Sequence, residues 1–92
     1  MEQARAEQIG AQALAWLAGD PELLEIFLSS GGLGVGDLAE IASNPDFLAA
    51  VLDFLLLADS HVTGFCDAQG LAYDMPMRAR QALPGGADVN WT

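Results

Sequence analysis

Lysine does not occur in this sequence, and the only cations beyond a single histidine are Arg5, Arg78 and Arg80, against thirteen acids, for a net charge of -10. Without lysine there is no phosphate-loop lysine and no Schiff-base lysine. Nucleic-acid binding relies on side-chain cations that displace counterions from phosphates, so a polyanion partner is excluded by sign. Anionic membrane surfaces are disfavoured for the same reason. The one cysteine, Cys66, has no partner for an internal disulfide, which suits a reducing compartment. Long apolar runs are also missing. The longest, Phe47 to Ala58, is interrupted by Asp53 and is about half of the ~20 residues a membrane-spanning helix needs. The stretch Met1-Glu2-Gln3-Ala4-Arg5 lacks a basic region leading into an apolar one, so no signal peptide is expected and the expected location is the cytoplasm.

What is present is helix-forming. Hydrophobic residues make up 52% of the 92 positions, enough for a core in one domain, and most are Ala and Leu rather than β-branched or aromatic. From about Glu2 to Ala18, residues Ala6, Ile9, Ala13, Trp16 and Leu17 recur on one helical face. Asp20-Pro21 then reads as an N-cap followed by proline at the first helical position, opening a helix to about Ser29. After the Gly-rich stretch Ser29 to Gly36, Asp37 and Glu40 open a short helix with Leu38 and Ile41. Asn44-Pro45 repeats the cap-plus-proline device for the most apolar helix, about Pro45 to Ala58. Asp59 or Ser60 is expected to cap a helix ending at Gly70, and Asp74 with Pro76 to start one stopping near Leu83. Strand alternation does not persist anywhere. The expected fold is all-α, a compact bundle of five to six short helices over residues 1-86, with a short C-terminal tail at 87-92.

An offset of 38 aligns Leu14 with Leu52, Trp16 with Phe54, Leu17 with Leu55, Phe27 with Phe65, and Gly32-Leu33 with Gly70-Leu71. Two pseudo-repeated three-helix halves would produce this pattern, and chance produces some of it in a chain rich in Ala and Leu.

Candidate chemistry is sparse. His61 and Cys66, the only imidazole and thiol, lie five residues apart, about 140° around a helix, a poor spacing for a dyad. The simpler expectation is a buried apolar Cys66 and an exposed His61 in a first helical turn. Asp59, His61, Cys66 and Asp67 match no recurring zinc spacing, and there is no calcium loop. The glycines of Ser29 to Gly36 follow a helix rather than a strand, and Asp37 occupies the position an anion would take, so a helix end and turn is the better reading. Asp20, Asp37, Asp59 and Asp74 are accounted for as caps, and Glu22, Glu40 and Asp46 as first-turn acids. A nucleic-acid mimic would need acids arrayed at phosphate spacing. No catalytic residue, cofactor or metal is expected.

Two features point outward. On a wheel for the Pro45 helix, Phe47, Leu48, Val51, Phe54 and Leu55 form the core arc. Leu57 falls on the opposite side with Asp46, Ala50 and Asp53, and Leu56 flanks it. Either another helix encloses that side, the commoner outcome, or Leu56 and Leu57 belong to a contact patch. Trp91, near the end of the tail, either folds back or anchors a partner.

The strings Ala13-Leu14-Ala15-Trp16-Leu17-Ala18-Gly19-Asp20-Pro21-Glu22-Leu23-Leu24, then Phe47 to Leu55, then Ala82-Leu83-Pro84-Gly85-Gly86, resemble the small alphaproteobacterial family of domain of unknown function 3572. His61 to Cys66 matches least well. The resemblance implies a bacterial cytoplasmic helical protein and carries no activity, ligand or catalytic residue. The reading reached by elimination is a non-enzymatic interaction or adaptor module, monomeric or weakly dimeric, with an unknown protein partner. The alternatives are a small-ligand binder or minor enzyme using a buried carboxylate such as Asp53 in a pocket between helices, and a homodimeric structural protein.

Overall fold

The computed structural model describes residues 1-31 and 44-83. Among them are five helices: α1 (Gln3–Ala18), α2 (Pro21–Gly31), α3 (Pro45–Leu56), α4 (Asp59–Gln69) and α5 (Met75–Gln81). No strand occurs among the described residues. The expected helix at Asp37 and Glu40, most of the Ser29 to Gly36 stretch, and the tail with Trp91 lie outside them.

Local chemistry starts two of the helices as anticipated. Asp20 Oδ1 accepts the Leu23 N–H at 3.3 Å, and Asn44 Oδ1 accepts the Asp46 N–H at 2.9 Å. In both cases proline supplies the first helical residue, where its missing N–H costs nothing. Two other expected caps are not made. The residue before α4 is Ala58, in extended backbone, so Asp59 already lies inside the helix and its side chain cannot fold back over it. Asp74 precedes α5 with helical backbone (φ -86°, ψ -6°) and forms no cap hydrogen bond. Its carboxylate instead faces Arg78, one turn on, at 4.0 Å. At the end of α4, Gly70 takes the left-handed conformation (φ 68°) that a Cβ would strain.

The core is apolar throughout, with no buried polar or charged residue among those described. α1 contributes Ala6, Ile9, Ala13 and Leu17, all fully buried, and α3 contributes Leu48, Val51, Leu52 and Leu55. α5 packs on both α1 and α3, α2 lies against α1, and α4 turns from α3 through 113°. Gly10 sits where α1 crosses α3: a Cβ there would lie 2.9 Å from Leu48 Cβ. The side of α3 carrying Ala50, Asp53 and Leu57 is not enclosed, contrary to the commoner outcome for a central apolar helix.

The 38-residue offset recurs in the helix boundaries and in the contacts. Pro21 and Asp59 begin α2 and α4, Gly31 and Gln69 end them, and Ala18 and Leu56 end α1 and α3, each pair 38 positions apart. The crossing partners Gly10 and Leu48 are related by the same shift. Applied to the Trp16–Phe65 ring contact (6.1 Å, 69°), the shift gives Phe54–Phe27, which is also a contact (5.3 Å, 60°). A twofold relation between halves requires contacts to exchange in this way. The Trp16–Phe65 and Phe54–Phe27 contacts meet that requirement.

One ion pair ties α5 to α3. Arg80 Nε donates to Asp53 Oδ1 at 2.7 Å, with the arginine side chain 17% exposed and the carboxylate 59%. The carboxylate side of the contact is solvated and the charge term modest, whereas most of the arginine side chain is buried. Arg80→Met, which keeps the stem, is therefore expected to cost under about 1 kcal/mol in urea unfolding. Arg80→Ala should cost about 1–2 kcal/mol, from lost methylene burial. Equal losses for the two variants would place the stabilisation in the charge.

Candidate functional site

His61 and Cys66 share α4 but serve different surroundings. Cys66 is fully buried, and its Sγ–H donates to the Ala72 carbonyl at 3.4 Å. Burial pushes the thiol pKa up, with Asp67 and Asp74 adding to the rise. It is a protonated packing group rather than a nucleophile. The folded protein should resist thiol reagents at pH 8, with full labelling only in denaturant, and rapid labelling of the native protein would contradict this burial. Because the folded thiol holds its proton more tightly than an unfolded one, its contribution to stability is complete below the ordinary value of 9.0. That contribution falls away as pH rises through the folded value.

His61 is half-buried, not the exposed first-turn residue expected. Its ring stacks on Phe54 (5.6 Å, 24°) and tilts against Trp16 (6.5 Å, 59°), and its Nδ1 is shielded without a hydrogen-bond partner among the described residues. The turn from α3 to α4 lays the start of α4 over these rings. Gly64 completes the fit, since a Cβ there would come within 3.1 Å of Trp16 Cζ2. The imidazole acts as a third ring in an aromatic cluster, and the Cys66 thiol is engaged elsewhere. Among the described residues no group of three His, Cys, Asp or Glu could hold a metal ion.

Asp53 is exposed and paired with Arg80, so it is not the buried carboxylate that a ligand pocket between helices would use. Of the outward-pointing candidates, Leu57 is 80% exposed at the end of α3, while Leu56 is half-buried. Leu56 lines a half-open groove of about 390 Å³ with Val62, Tyr73 and Met77, and with the carboxylates Asp59 and Asp74. Tyr73 (58% exposed) and Met77 (55%) were not singled out from sequence. Tyr73 lies between helices, and α5 is too short to show a periodic apolar face, so only the groove they share with the start of α4 identifies them. The Tyr73 hydroxyl donates to Asp67 Oδ1 at 2.7 Å, which raises the phenol pKa and fixes the ring. A larger hollow of about 700 Å³ beside α2 has Glu22, Glu25, Ile26 and Ser29 among its walls.

Helix order and an apolar core define a small all-α bundle, with an open, acid-rimmed groove on its surface. The chain belongs to the family described as protein of unknown function (DUF3572), whose model matches residues 3–86. No curated protein and no solved structure matches it. Among the described residues no single helix is long and apolar enough to cross a membrane.

Proposed function

We propose that this domain is a non-enzymatic protein-interaction module of the cytoplasm. The observation that carries the reading is the exposure of Leu57, Tyr73 and Met77, when most other large apolar side chains among the described residues, Ile26 and Met1 excepted, are buried or half-buried. Exposed apolar side chains beside a groove are favourable to cover and unfavourable to leave in water. The polar carboxylates around them keep the free domain soluble, a division of labour common at the rims of interfaces.

The test is affinity purification from the native cells of the tagged wild type beside a Leu57→Glu/Met77→Glu variant. Both positions are more than half exposed, so the variant should melt within a few degrees of wild type. A protein recovered with wild type and absent from the variant is the expected result. If every co-purifying protein is recovered equally with both, the interaction reading fails at this surface. Sedimentation of the purified domain separates the homodimeric alternative, which predicts self-association abolished by the same substitutions.

A further inference from the structure

We propose that the groove between the start of α4 and α5 receives a basic amphipathic segment of another protein, with large apolar side chains seated in it and lysine or arginine on its rim. The inference rests on reading the domain as an interaction module and adds the chemistry of the partner. The floor is apolar, formed by Leu56, Val62, Tyr73 and Met77, and the carboxylates on its edge are Asp59 and Asp74. Such a surface matches a helix or strand that alternates apolar anchors with cations. Met77 adds an unbranched, polarizable side chain that adapts to the shape of the anchor.

Charge then selects among occupants. A second copy would bring another net charge of -10 and the same two rim carboxylates against the first, and a polyanion or anionic bilayer would be repelled likewise. An incoming cation is attracted over the whole surface and meets little local competition. The cation nearest the rim, Arg78, holds Asp74 only at 4.0 Å, with both side chains largely solvated. Arg80 is engaged with Asp53, and Arg5 donates to Gln8 on α1.

The internal repeat supplies an independent argument. The 38-residue shift that equates Phe65 with Phe27 and Leu55 with Leu17 equates the groove residues with Ala18, Pro21, Leu24, Val35, Gly36 and Ala39. Core positions such as Leu52, Leu55 and Phe65 keep their character between the halves. At the groove, Leu56, Tyr73 and Met77 stand opposite smaller residues, and the rim acids Asp59 and Asp74 stand opposite Pro21 and Gly36. Packing does not demand that difference, since Tyr73, Met77 and both acids are exposed. A binding role in one half explains it.

The experiment is selection of a phage-displayed random 12-residue peptide library on the immobilised domain, with counter-selection on Met77→Glu. That variant is more acidic than wild type, so peptides held by charge alone bind it at least as well and are removed. The expected winners combine at least one large apolar residue with two or more lysines or arginines. As free peptides they should bind the Asp59→Asn/Asp74→Asn variant about tenfold more weakly and lose affinity steeply with salt. Winners that are acidic or uncharged, or a selection with no enrichment over Met77→Glu, would overturn the proposal. Its failure is distinguishable from failure of the interaction reading. In the first case cells still yield a partner lost on Leu57→Glu/Met77→Glu, and that partner contacts the domain without a basic segment. In the second no such partner exists.

Discussion

Gly10→Leu should destabilise the domain by about 3 kcal/mol or more, and Gly10→Ala by about 1–2 kcal/mol, although both replace glycine in the middle of a helix. On helix propensity alone alanine would gain about 1 kcal/mol at this position. The opposing effect is the close approach of α1 to α3, where a Cβ at residue 10 meets Leu48 Cβ at 2.9 Å. That neighbour is the first atom of its side chain, fixed to the backbone of a helix anchored by buried Val51, Leu52 and Leu55, so it yields only if the helices separate. Separation would loosen Ile9, Ala13, Val51 and Leu52 together, all of them fully buried. Leu48→Ala should consequently fail to rescue Gly10→Ala, because the offending atom is still present, while Leu48→Gly should relieve the clash within an otherwise weakened core. Urea unfolding of the four variants measures this. Gly10→Ala more stable than wild type would show that the crossing gives way freely.

The same crossing explains what could and could not be read in the sequence. Helix starts at Asp20-Pro21 and Asn44-Pro45 were legible because each cap is settled within three residues of chain. The inward faces of α1 and α3 were legible from apolar spacing, although the buried set also includes Leu14, Ala49 and Leu52, beyond a single narrow stripe. That wider stripe follows from α3 touching α1, α4 and α5. Asp59 failed as a cap because its helix begins at that very residue, with Ala58 in the cap position, and Asp74, although it stands in the cap position, failed because its backbone is already helical. His61 was misplaced because a wheel describes one helix, whereas its burial comes from the 113° turn that sets α4 against Trp16 and Phe54. At the candidate surface, the outward position of Leu57 was legible from its register beside Asp46 and Asp53. The groove residues Tyr73 and Met77 depend on two elements meeting, and nothing local marks them.

Phe65→Ala is expected to cost about 3–5 kcal/mol, a large part of the roughly 5–15 kcal/mol available to a domain of this size. Phe65 is fully buried, and it meets Trp16 edge-on at 6.1 Å, where Gly64 lets the indole come close. Truncation removes apolar burial and leaves a space that the surrounding helices can fill only by moving α4 inward. The Trp16 ring also contacts His61, so α4 would lose one of its ring contacts with α1, and the His61 Nδ1, without a hydrogen-bond partner among the described residues, would gain access to water. Phe65→Leu, which retains most of the volume, should cost less than half as much. The twofold relation extends the expectation to Phe27, 5% exposed and packed on Phe54 and Phe47: Phe27→Ala should fall in the same range. The aromatic pairing itself is separable by a double-mutant cycle between Trp16→Leu and Phe65→Leu, with a coupling of about 0.5–1.5 kcal/mol. Equilibrium unfolding followed by circular dichroism gives all of these values without relying on Trp16 fluorescence. Phe65→Ala costing under about 1 kcal/mol would mean that α4 is not fastened to the core through this ring. The groove at its start would then not be held in shape by the cluster of Trp16, His61 and Phe65.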